Sequence, residues 1–359
     1  TELDPDFAEA WALLVVNQAR MLWFGFQDDN QASMARSALD RLMQLAPETP
    51  MAMAAQGEYL YRINSNYEAA RKSFENASAA LPNDADLMYR LATIQRRTGD
   101  FDEAIQSYRR AIELAPNNVT YREELLLTLS FIKRWQEVEA LSQQYLRRFP
   151  GEEQFYVYLA SVEIRWHGDP DAAQEWLDRV TLNDNFGYLD TRITLLFLQR
   201  DYAGVLAYLS SPMLQALKEN VFWGPSMLQL RAKAHHYLGQ QDEVLRLTAE
   251  LENRVGVQMA YRDDAYFAWE LLPLAQANAY AGNIDRALEI QQKSNELRDR
   301  EQENFDDVLF DINRAWLLAM AGETEEALAE IERLLNAPGM LNRNVMQLDP
   351  DWDFFRNDE

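Results

Sequence analysis

Histidine is the usual proton carrier near neutral pH, and only His167, His235 and His236 occur among 359 residues. Adjacent positions on a helix point about 100° apart, so His235 and His236 do not share one ion as an i, i+4 pair would. Cysteine is absent, which removes thiolate nucleophiles, disulfides and cysteine-based zinc or iron–sulfur sites. The acids Glu301, Glu303, Asp306 and Asp307 cluster, but without the alternating acids and glycine of a calcium loop. A solvated charged link is the simpler reading. No glycine-rich run follows a strand-like segment, so no phosphate cradle is indicated. The residues therefore predict no catalytic centre, no metal and no cofactor.

The side chains that do recur at helical spacing are cationic and aromatic. Arg20, Arg62, Arg96, Arg97 and Arg165 fall on one row, with Tyr59 and Tyr89 a turn earlier. Guanidinium forks hold carboxylates bidentately, and tyrosine supplies rigid contact area. A second row, Tyr237, Trp269, Tyr280 and Trp316, is aromatic. With 34 Lys and Arg against 58 Asp and Glu, the chain carries −24, so a row of arginines reverses the sign locally. That balance disfavours nucleic acid and anionic membranes as partners. It points the arginine row at an acidic or C-terminal carboxylate-bearing peptide. Two competing readings stand beside this one: the arginines pair with acids of the same chain, and the aromatics pack between helices.

A fixed period defines the elements that carry these rows. Pro82, Pro116 and Pro150 stand 34 residues apart, with Asp184 in the next such place. Behind them Ala70-x3-Phe74-x2-Ala77, Ala104-x3-Tyr108-x2-Ala111 and Val138-x3-Ser142-x2-Tyr145 align. Small residues let two helices approach to about 8–10 Å, the aromatic fills the wedge toward the next pair, and proline ends the helix. Leu91-Ala92, Leu125-Leu126 and Leu159-Ala160 mark the preceding helices, with Trp11, Met88 and Tyr156 three residues before the corresponding leucine. Gly99, Gly239, Gly282 and Gly322 each precede an acid by three residues, as a left-handed turn followed by a helix N-terminus requires. The pattern predicts an all-α chain of about nine helical hairpins. The register loosens at an insertion spanning Trp23 to Asn30, near Arg254-Val255-Gly256 and across Leu297 to Asp307.

This small-x3-aromatic-x2-small-x4-Pro spacing at 34 residues resembles the tetratricopeptide repeat. The Trp-containing opening unit, the aromatic second unit Gly57-Glu58-Tyr59-Leu60-Tyr61-Arg62 and the closing Leu348-Asp349-Pro350-Asp351-Trp352-Asp353 are also similar to a narrower group. These are the C-terminal repeat regions of membrane-anchored bacterial signalling proteins linked to a cyclase, a kinase or a winged-helix regulator. The resemblance implies an α-solenoid, a right-handed superhelix whose first helices line a groove carrying both residue rows. It also implies a sensory or interaction role without chemistry. The expected organisation is regular units over 1–186, longer degenerate units over 187–340, and a cap over 341–359 that packs Trp352 and Phe355 on the last pair. A module for a small ligand or cell-envelope fragment is the alternative, and self-association through terminal units is a further expectation. No run approaches about 18 apolar residues, so no membrane-spanning helix is expected. The sequence opens on Thr1 and stops at Asn357-Asp358-Glu359, which reads as a piece of a longer chain. An upstream membrane span would place it in the periplasm; otherwise it is cytoplasmic.

Overall fold

The computed structural model describes residues 4–23, 30–181, 186–220, 223–262, 265–298, 305 and 307–356. Residues 24–29 of the expected insertion, Asp184, and the acids Glu301, Glu303 and Asp306 lie outside them. Among the described residues there are helices and no strands.

Contacts divide the chain into two compact units. The first comprises residues 1–128 with 301–305, and the second 129–300 with 306–359. Contact density is a different property from the repeat regularity expected to change near residue 186.

The first unit holds the hairpins α1 (Ala8–Trp23) with α2 (Gln31–Leu45), α3 (Pro50–Arg62) with α4 (Tyr67–Ala80), and α5 (Ala85–Arg97) with α6 (Phe101–Leu114). Most of α7 (Val119–Phe131) follows. Helix starts are written in the sequence. Thr49, Asn66 and Asp84 accept from the backbone N–H of Ala52, Ala69 and Leu87 at 3.1–3.2 Å, satisfying donors that a helix start leaves unpaired. Helix stops repeat as well. Leu81, Ala115 and Phe149, each just before one of the periodic prolines, share nearly one backbone conformation, φ −131, −127 and −130. With ψ of 71, 74 and 70 they lie outside the helical region, which a following proline disfavours. Ala70, Ala77, Ala104 and Ala111 are fully buried, as are Phe74 and Tyr108, where the helices approach closely.

The second unit begins at the end of α7. It continues through α8 (Trp135–Arg148), α9 (Gln154–Val162), a π-type turn (Glu163–His167), α10 (Pro170–Leu177), α11 (Phe186–Leu198), α12 (Tyr202–Leu209) and the short α13 (Pro212–Gln215). Three hairpins follow: α14 (Trp223–Tyr237) with α15 (Gln241–Arg254), α16 (Ala265–Tyr280) with α17 (Ile284–Arg298), and α18 (Val308–Met320) with α19 (Thr324–Asn336). The chain ends in α20 (Arg343–Leu348), a 3-10 turn at Pro350–Trp352 and α21 (Asp353–Arg356). Phe355 packs on Leu318, Ala319 and Ala327 of the last hairpin. Trp352, 4% exposed, joins the main apolar cluster of α14 to α19.

Gly99, Gly239, Gly282 and Gly322 all have φ between 70 and 86. In each of these hairpins the next residue donates to a carbonyl five positions back, as in Asp100 to Gln95 and Glu323 to Leu318. Arg134 to Leu129 and Asp201 to Leu196 repeat this bond, although the positive-φ residues there are Lys133 and Arg200.

Candidate functional site

In the first unit the caps at Thr49 and Asp84 set the phase of α3 and α5. Met51, Ala54, Glu58 and Arg62 then share one face, spaced at three or four residues, as do Asp86 and Arg90, with Arg97 two turns further on. Glu58, only 2% exposed, accepts from Arg62 Nε at 2.7 Å and pairs with Arg90, whose Nε reaches Asp86 at 2.7 Å. Burial works to raise the Glu58 pKa, but the Arg62 and Arg90 guanidiniums overcome it and hold the carboxyl below its ordinary value; Arg20 adds to the effect. Arg96 pairs with Glu124 at 2.6 Å. Arg97 Nε donates to the Tyr61 hydroxyl at 3.1 Å and its guanidinium lies 5.1 Å from the Trp23 ring. Phe305, which groups with this unit, covers both Arg96 and Arg97 at 4.5 and 5.3 Å.

Tyr89 stacks on Tyr121 at 5.1 Å, and burial pushes its phenol up to about 12. Tyr59 is placed differently. It is buried among α1, α2 and α3 with its hydroxyl beside Arg36, away from the arginine face. Next to Arg90 the same unit opens a recess of about 390 Å³, lined by Leu13, Val16, Met51, Ala54, Leu81 and Leu87 among others.

In the second unit Arg165 donates to the Met340 carbonyl at 3.0 Å. Three of the four residues of the aromatic row converge on one acid. The hydroxyls of Tyr237 and Tyr280 donate to the Asp351 carboxylate at 2.6 and 2.9 Å, and the Trp316 indole N–H donates to the Asp351 carbonyl at 3.1 Å. Trp269 stands apart, edge-on against Phe310 at 4.7 Å. Lys233, 7% exposed, reaches Asp351 at 2.6 Å and Asp349 at 3.2 Å, and lies 4.5 Å from the Phe197 ring. Burial, then the Asp351 carboxylate, push both phenols well above their ordinary range. Burial lowers the Lys233 pKa, but Asp349 and Asp351 more than restore it, so the net direction is upward.

Glu58, Lys233, Asp349 and Asp351 organise these faces; the sequence placed Glu58, Asp349 and Asp351 in motifs of the resemblance but gave none of the four a binding role. Lys233 carried one signal, as one of only five lysines in the chain. Among the described residues no group of three or more histidines or acids is placed to hold a metal ion. No described helix is long and apolar enough to cross a membrane.

Tandem helical hairpins packed on their neighbours, without strands in the described residues, define an all-α solenoid. Residues 64–119 match the tetratricopeptide repeat family model, so the chain carries tetratricopeptide repeats in that stretch. A chain of the APC/C hetero-tetramer Cut9–Hcn1 shares the fold at TM-score 0.51 and 14% identity, over 91% of this chain and 66% of that one. A tetratricopeptide repeat protein from Parabacteroides merdae matches at TM-score 0.47 and 15% identity, over 69% and 93%. No curated protein matches the sequence significantly.

Proposed function

We propose that the chain is a scaffold that binds a segment of another protein along the arginine-bearing face of its first unit. The observation that carries this reading is the open apolar recess beside Arg90. Leu13 and Leu81 on its rim are 62% and 45% exposed, and contiguous apolar surface left open next to charge is characteristic of interaction sites. A partner places a large apolar side chain in the recess and an acidic or C-terminal carboxylate at Arg20, the partly exposed end of the row, with Tyr89 as a rigid platform and Arg62, Arg96 and Arg97, 8%, 4% and 7% exposed, lying beneath. Arg62 and Arg96 already face Glu58 and Glu124, so an incoming carboxylate joins an existing network. The apolar anchor then supplies most of the affinity and the arginines set the preference for negative charge. The closing Leu348–Asp353 motif and its resemblance support a place in a larger bacterial signalling protein, as its interaction or sensory region.

A panel of acidic peptides with free C-terminal carboxylates tests the proposal. Leu13→Glu, at an exposed position, is expected to reduce binding about tenfold or more by placing charge in the recess. The double substitution Arg62→Ala and Arg96→Ala is expected to remove the preference for acidic over neutral peptides. Binding that survives both changes overturns the reading.

A further inference from the structure

The last residues of the chain are held as a receptor holds a peptide. Consecutive hairpins meet helix against helix, burying rows of small and apolar side chains. From the last turn of α19 onward, residues 334–353 also bury Leu341, Pro350 and Trp352, and in addition they are gripped through main-chain carbonyls and carboxylates. Lys133 Nζ donates to the carbonyls of Leu334 and Leu335 at 3.1 and 2.9 Å, Arg165 to that of Met340, and the Trp316 indole to that of Asp351. Arg200 forks onto the Asp353 carboxylate, while Lys233, Tyr237 and Tyr280 close on Asp349 and Asp351. Trp352 is the buried anchor. Main-chain contacts accept many sequences, whereas the two partly buried acids and the tryptophan select one kind of segment.

We infer that the second unit carries a binding site for acidic segments of the form Asp-x-Asp-Trp, filled in cis by Asp349–Trp352 and open to the like segment of a partner protein that displaces it. The charge complementarity of Lys233 with two carboxylates commits the site to an acidic occupant. A tether of a few residues, Ala337 to Asn342, gives the cis segment an effective concentration on the order of millimolar. Only partners that bind well below that level displace it, so the segment sets a threshold. The inference extends the proposed scaffold function to a second face. Its test involves no residue of the Leu13 recess or of Arg62 and Arg96, so the two readings fail separately.

The probe is a fluorescein-labelled peptide with the sequence of residues 342–356, and the receptor is the full chain. Asp349→Asn with Asp351→Asn weakens the cis occupant and is expected to tighten peptide binding about tenfold or more over the unsubstituted chain. Adding Lys233→Met is expected to abolish that gain. A second measurement needs no substitution. Saturating unlabelled peptide on the unsubstituted chain is expected to lower hydrogen-exchange protection across 343–356 and leave α14 and α16 protected. Three outcomes overturn the inference: binding indifferent to Lys233→Met, full protection of 343–356 under saturating peptide, or a concentration-dependent dimer that exchanges this segment and excludes the peptide.

Discussion

Lys133 and Arg200 occupy left-handed turn positions, φ 61 and 60, that four other hairpins give to glycine. An L-residue there costs about 1–2 kcal/mol, and such strain persists where the surroundings over-determine it. Both side chains hold the C-terminal residues, Lys133 at Leu334 and Leu335 and Arg200 at Asp353. Arg200→Gly removes the strain and the ion pair together. Because both partners are more than a third exposed, the pair's contribution is small, and the melting temperature is expected to change little. Hydrogen-exchange protection of residues 353–356 is expected to fall. Retained protection there would mean that Arg200 does not hold the segment. Ser65, at φ 48 between α3 and α4, has no such contact with that segment, and Ser65→Gly is expected to stabilise by about 1 kcal/mol in denaturant titrations. The glycine turns were legible because glycine is the signature of that conformation. The turns at Lys133 and Arg200 were not, because an L-residue leaves no compositional trace of it.

At the scale of elements, the periodic prolines and alanines gave the hairpins, since each rule acts within one helix or between helices a fixed distance apart. The C-terminal element was legible only as something that closes. Its landing points at residues 133, 165, 200 and 233 lie 116 to 202 residues from their partners, and no period links positions so far apart. The row Tyr237, Tyr280 and Trp316 was legible as aromatic; that it grips an acid of the same chain was not. The chemistry of that grip fixes its pH dependence. Tyr237, Tyr280 and Lys233 all have folded-state pKa values raised above their ordinary ones. A raised folded value means that these groups contribute their full stabilisation below the unfolded pKa values of about 10 and lose it as pH rises above them. Protection of residues 343–356 is therefore expected to hold between pH 7 and about 10 and to fall above that, ahead of α3 and α5. Tyr280→Phe, which cannot ionise, is expected to shift the midpoint of that loss upward. A midpoint that does not move would show that the Tyr280 phenol does not govern the release.

For the molecule as a whole, solenoid stability is expected to be a sum over neighbouring units, and the helices of the first unit conform, Phe305 on Arg96 and Arg97 being a contact from far along the chain. Its polar contacts between helices reach about one repeat, 32 residues from Arg90 to Glu58 and 36 from Arg97 to Tyr61. The second unit departs from this pattern because its C-terminal residues bond to α7, α9, α11, α14, α16 and α18 or the turns that end them. A segment shared by so many helices couples them, so loss of one contact is felt along the unit. Trp352→Ala opens a cavity in the cluster that α14, α16 and α18 share and is expected to cost about 3–5 kcal/mol. The cost should be distributed: hydrogen exchange accelerates from α9 through α19, while α3 to α6 keep their protection. A nearest-neighbour array without this coupling would instead lose protection in α18 and α19 alone, and that result would reduce the C-terminal residues to a local cap. Because coupling also sharpens unfolding, the denaturant transition of the second unit is expected to broaden in the same variant, with a lower apparent m-value. An unchanged slope would separate the segment's contribution to stability from any contribution to cooperativity.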